Sequence, residues 1–367
     1  MKKLLIASAV SALFAAPATV LAQAKAPTLD KVLEASGLSV SGYIDAGYTY
    51  SNRNIEPGNF STRVFDLQNN SFVLHQAAVT IAKQPKEGFG GLVNLTMGKD
   101  AQAIHSVSGA ATDTSMFDVT QAFAQYASGP LTLIAGKFAT LHGTEVIASP
   151  GNVNISRSIL FGSVPFTHTG VRGTFALSDT VSLIAGVNNG WDQLTDSNRA
   201  KTLEIGATLA PIKPLSIALS AYSGKEPVGG GEDGTKTSFD GVASYTVIDP
   251  LSVGLEVLVV NQDNVGGGGG PKQKYSGVAG YVTYMFASNY RGSVRVERLD
   301  DKDGFRFGTA GRKYAEVTVT GAYLASDSFE LRGEARMDRA NTEVFTDFKG
   351  ATSKSHITAA LQALYKF

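Results

Sequence analysis

From Leu38 to Phe367 apolar and polar residues exchange places at every second position, in one short run after another. The clearest apolar faces read Leu38, Val40, Ile44, Ala46 and Tyr48; Phe89, Val93, Leu95 and Met97; Leu203, Ile205, Ala207 and Leu209; and Leu251, Val253, Leu255, Val257 and Val259. The opposite faces of these segments carry Asp45, Asn94, Thr96, Glu204 and Glu256, and Ser216 and Ser220 lie opposite Leu215, Ile217, Leu219 and Ala221. A period of two is the signature of a strand with two unlike sides. About sixteen such segments can be counted, each near the roughly nine to eleven residues that a tilted strand needs to cross a bilayer. In residues 72–83 the parity slips between Leu74 and Ala77, which predicts a bulge, and residues 275–286 are apolar on both faces.

The connections alternate in length. Short ones, such as 83–88, 127–130, 177–180, 210–214 and 248–250, are rich in Pro, Gly, Asp and Ser, as tight turns require. Between them lie long ones at 51–70, 99–116, 139–167, 189–201, 223–236, 261–274, 300–312 and 340–353. This predicts an all-β fold, a transmembrane antiparallel β-barrel with short periplasmic turns and long extracellular loops. An even strand number puts both ends of the barrel on the periplasmic side.

Charge sets the orientation of the faces. Glu330, Arg332, Glu334, Arg336 and Asp338 alternate along one segment, opposite Phe329, Leu331, Ala335 and Met337. Each basic residue turned toward lipid near the midplane would cost about 2–4 kcal/mol, so this face must be the inner one. Arg291, Arg295 and Glu297 form a similar stripe one hairpin earlier. A polar interior inside so many strands is too wide for side chains alone to fill. The longest loop, 139–167, is the candidate to narrow it, bringing Glu145 and Arg157 inward against the basic wall residues Lys137, His168 and Arg172; the alternative is a loop packed over the outer mouth. The expected pore-lining set is these five with Glu204, Glu256, Arg291, Arg295, Glu297, Glu330, Arg332, Glu334 and Arg336. Pore radius and the field between the acidic and basic walls would set selectivity, and Arg332→Glu with Arg336→Glu would push ion preference toward cations.

Ahead of the barrel, Lys2 and Lys3, the apolar run 4–16 and Val20-Leu21-Ala22 read as a signal peptide over 1–22. Residues 23–37 are then a periplasmic N-terminal segment with one short helix near 28–36, and 38–367 is the barrel. The 32 basic and 32 acidic residues balance, and loss of Lys2 and Lys3 leaves a formal charge of −2, which suggests no nucleic-acid partner. With no cysteine, disulfides, thiolate metal sites and thiol nucleophiles are excluded. The five histidines sit in no HExxH and no recognisable Ser-His context, so neither catalysis nor a cofactor is expected. Asp300, Asp301 and Asp303 lack the acids that a calcium-binding EF-hand loop would need at Leu299 and Ala310, and read as an acidic turn. Trp191, Tyr48, Tyr50, Tyr281, Tyr284 and Tyr365 read as interfacial girdle residues.

Several motifs carry a resemblance. The terminal Tyr365-Lys366-Phe367 resembles the closing strand of bacterial outer-membrane barrels, where the last Phe is read by the assembly machinery. GKFATLHGTE at 136–145 resembles the passage into the constriction loop of porins. SRSILFGSVPFTHTGVR at 156–172, NNGWD at 188–192 and RVERLDDKDGFRFG at 295–308 resemble putative beta-barrel porin type 2, although Ser163-Val164 stand where that family has aromatics. The resemblance runs from about Gly42 to Phe367. It implies a porin-like channel and leaves the solute open; the chain as a whole reads as a passive diffusion channel for small hydrophilic solutes in the outer membrane of a Gram-negative bacterium, with lipids as partners and a homotrimer by analogy with porins. The rival readings are a barrel enzyme of lipase or protease type and a plugged structural or adhesive barrel.

Overall fold

The computed structural model describes residues 29–53, 55, 62–108, 115–229 and 232–367. The expected signal peptide lies outside them. The chain forms two units, 1–38 and 39–367. Within the first, a short helix, α1 (Leu29–Ser36), ends where Ser36 Oγ donates to Leu33 O at 2.8 Å and Gly37 takes φ 67°, the left-handed close that glycine permits.

The second unit is a closed barrel of sixteen antiparallel strands, each bonded to its neighbours in chain order. They are β1 (Ser39–Ser51), β2 (Ser71–Lys83), β3 (Gly88–Met97), β4 (Phe117–Ser128), β5 (Leu131–Ala139), β6 (Thr167–Ser178), β7 (Val181–Asn188) and β8 (Thr202–Ile212). The remainder are β9 (Leu215–Gly229), β10 (Glu232–Ile248), β11 (Leu251–Gln262), β12 (Gln273–Ala287), β13 (Tyr290–Asp301), β14 (Arg312–Ser326), β15 (Phe329–Ala340) and β16 (Ser355–Lys366). The seam pairs β1 with β16, and beyond it Gly42 and Phe367 exchange backbone hydrogen bonds of 2.8 and 2.9 Å. Closure leaves no strand edge unpaired, which a lipid environment requires.

Period two sorts the side chains as expected. On β16 Leu361 points outward, 67% exposed, while Leu364 is fully buried inside. The slip in β2 is a bulge: Asp45 faces Gln76 and Ala46 faces Leu74, leaving His75 without an opposite residue. A second bulge in β4 leaves Thr120 extra between Val119 and Gln121.

Two loops differ from expectation. Residues 223–236 are mostly an extended β9–β10 hairpin, and this stretch loses its apolar alternation because no acyl chain faces either side of it. Residues 99–116 carry a helix, α2 (Lys99–Ser108), with Asp100 in its first turn. Its Ile104 packs with Phe65, Phe161 and Phe166.

The barrel interior is filled on one side. Leu258, Val260, Tyr275, Ala279 and Leu299 of β11–β13 bury against Ile159, Leu160 and Val164 of the long loop and Phe345 of the last one. This explains the two apolar faces of β12: Tyr275 and Tyr281 point inward. Tyr281 is therefore no girdle residue, its hydroxyl lying 3.4 Å from Glu256. Trp191 is also away from the outer surface, under Lys236 Nζ at 4.5 Å from its ring.

The constriction loop and the candidate channel

Between β5 and β6 the chain leaves the wall at Ala139 and returns at Thr167. Gly136 prepares the exit: its φ is 136°, and a Cβ there would stand 2.2 Å from Ala122 O, so no other residue fits. The loop lies inside the barrel and makes two passes along the wall.

On the outward pass the Leu141 N–H donates to Tyr222 Oη at 2.8 Å. His142 lies between Ser220 Oγ at 2.7 Å and Ser238 Oγ at 2.8 Å. Burial pushes its imidazole down to about 3, so it docks as the neutral ring. The Gly143 N–H donates to Asp240 and the Thr144 N–H to Glu256, each at 2.9 Å. Glu145 then meets Arg295 at 2.6 Å. Farther on, Gln76 donates to Ile147 O at 2.9 Å, and Ser149 Oγ donates to Asp45 at 2.5 Å.

The return pass repeats one device. Glu334 accepts from the consecutive Ile155 and Ser156 N–H groups at 2.6 and 3.0 Å. Glu297 accepts from Ile159 and Leu160 at 2.6 and 3.1 Å. Successive N–H groups converging on one carboxylate form an anion-binding concavity turned inside out: here the wall supplies the anion. The guanidinium groups take the carbonyls. Arg295 donates to Ser156 O at 2.7 Å and Arg336 to Arg157 O at 2.5 Å. Within the loop Arg157 donates to Val146, Ile147 and Ile155 carbonyls at 2.8–2.9 Å. At the far end Asp192 accepts from Phe166 and Thr167 N–H groups at 2.7 and 3.0 Å. Its burial raises it to about 6.

The fourteen residues expected along the pore thus divide by what they hold. Glu145, Arg157, Glu256, Arg295, Glu297, Glu334 and Arg336 bond to or within the loop. Arg172 bridges Glu204 at 2.6 Å, donates to Ala139 O at 3.0 Å at the loop's root, and lies over the Phe138 ring. Lys137 pairs with Asp118 at 3.3 Å. His168 stacks on Tyr222 with ring centres 4.4 Å apart. Arg291 and Arg332 both bond to Glu330. The difference from a field of free charge is physical: Arg295 is 0% exposed and Arg336 1%, so each is spent on a partner. Arg336→Glu would bury an acid against Asp338 before it altered any solution field.

Asp45, Gln76, His142, Asp192 and Asp240 were not foreseen. Asp45 stood on a visible polar face, but its loop partner is 104 positions away. The acidic turn holds itself together: Asp301 accepts from Arg306 and Phe307 N–H groups at 3.1 and 2.7 Å. Among the described residues no group of His, Asp and Glu is arranged to hold a metal.

A closed cylinder with a lipid-compatible outer face and a loop of its own wall folded through its lumen defines an outer-membrane channel of the porin class. The chain belongs to the family described as Putative beta-barrel porin-2, OmpL-like, which it matches over residues 37–367. Solved structures agree in fold. The outer membrane channel DcaP of Acinetobacter baumannii aligns with a TM-score of 0.61 at 16% identity, over 90% of this chain and 97% of that one. The anion-selective porin from Comamonas acidovorans gives 0.62 at 10%, over 90% and 99%. The trimer form of OmpT from Vibrio cholerae gives 0.62 at 12%, over 90% and 99%. No curated protein sequence is detectably similar. The protein is a porin of the Gram-negative outer membrane.

Proposed function

We propose that this porin works by passive diffusion of small hydrophilic solutes past loop 139–167, without catalysis and without a cofactor. The observation that carries this reading is the docking of that loop inside the barrel through Glu297, Glu334 and Arg336. A solute then meets a fixed narrowing and not a moving gate. In this reading the pore-lining residues act mostly at second hand: the charged wall residues hold the loop, and the loop sets the radius. The homotrimer belongs to the same proposal, supported by the trimer form of OmpT. Purified protein in a planar bilayer tests the reading. Ohmic steps that scale with salt are expected, whereas a silent membrane would favour a plugged barrel and hydrolysis lost on replacing one histidine would favour an enzyme. The molecular mass of the detergent-solubilised complex tests the trimer.

A further inference from the structure

The loop follows β8–β16 and β1 and touches β2 at Gln76, so the space it leaves lies beyond that contact, against Thr80 of β2 and against β3–β4. A cavity of about 260 Å³ opens there. Its strand wall presents Thr80, Asn94, Thr120 and Gln121. Asn94 Nδ2 donates to Thr80 Oγ1 at 2.8 Å, and Gln121 Oε1 accepts from the Ala139 N–H at 3.0 Å, which leaves the Gln121 NH2 group for a visitor. The loop wall presents Ile147, Ala148, Val164 and Phe166. Among the described residues lining this space Glu145 alone carries charge, and its carboxylate is taken by Arg295 and the Ser158 N–H, each at 2.6 Å. One wall is therefore amide and hydroxyl, the other hydrocarbon, and neither offers a free ion.

Resting on the porin reading above, we propose that this slot is the conducting path and that it favours neutral ring solutes of the pyranose class over ions of either sign. A pyranose ring has hydroxyls around its edge for the Asn94–Gln121 wall and C–H faces for Ile147 and Phe166. The volume is below the roughly 300 Å³ at which small-molecule pockets begin, so one ring fits and a longer chain must thread. Charged solutes would lose hydration there without gaining a counter-charge.

The full-length protein in a planar bilayer under a KCl gradient, and in proteoliposomes, tests this. The wild type is expected to give a reversal potential near zero and to swell liposomes faster in glucose than in sodium gluconate. Gln121→Glu is expected to shift preference toward K+ by about fivefold, the effect of one unpaired charge in a narrow path. Should that variant fail to fold, Asn94→Asp makes the same test. Strong selectivity of the wild type, faster entry of gluconate, or a reversal potential unmoved by the acid would overturn the proposal while leaving a porin. A silent wild-type membrane would overturn the porin reading itself, and this one with it.

Discussion

At the scale of single residues, the wall carboxylates act as acceptors for a backbone that has no strand partner. Inside the barrel the loop's N–H groups must find acceptors or cost about 1–3 kcal/mol each. Glu334→Ala strips two of them, on Ile155 and Ser156. It is expected to lower the melting temperature in detergent and to raise open-channel current noise; noise equal to wild type would show that Glu334 does not hold the loop. Asp192 gives a pH dependence. Burial raises it to about 6 from 3.8, so the folded state binds its proton more tightly than the unfolded chain. Stability is therefore expected to rise as pH falls through 6 and to level off near 4. Because Asp192 is only half-buried, the gain is put at about 1–2 kcal/mol. Melting of wild type and Asp192→Asn across this range checks it, the variant being expected to lack the increment.

At the scale of elements, the strands were legible because lipid and lumen impose opposite demands on alternate side chains. The Glu330–Asp338 stripe alone oriented β15, and Leu74–Ala77 announced the bulge of β2. The extended β9–β10 hairpin was not legible, since beyond the membrane the apolar half of the code disappears. Nor was α2, although Ala101 and Ile104 stand three apart with Asp100 ahead of them. The loop's partners were hidden for another reason: periodicity shows which face a residue is on, never which distant segment it meets. The outward face makes its own prediction. Leu361→Arg on β16 is expected to cost about 2–4 kcal/mol of folding free energy in lipid vesicles. A change below about 0.5 kcal/mol, the usual range of a neutral surface substitution, would mean that this face does not meet acyl chains.

At the scale of the whole molecule, the barrel and its loop are one construction, in which Glu145, Glu256, Arg295, Glu297, Glu334 and Arg336 find partners across the two. Replacing 146–160 by a short Gly-Ser bridge removes the loop partners of Glu297, Glu334 and Arg336 at once and leaves Arg295 with only Glu145 from the loop. The expected result is a larger single-channel conductance, ion preference where the wild type has little, and lower thermal stability. Unchanged conductance would mean that the loop does not limit the path. The buried pairs themselves are weak evidence of net stabilisation, because desolvation offsets much of their attraction; here they fix where the loop sits.

The seam between the first and last strands has a kinetic consequence. Ser51 Oγ reaches His356 across 305 positions, at 2.8 Å, so this contact must await nearly the entire polypeptide. Long-range pairings of this kind are slow to form. Until then two raw margins stand open to any neighbouring chain, so the barrel is most exposed to edge-to-edge association in the interval before its ends meet.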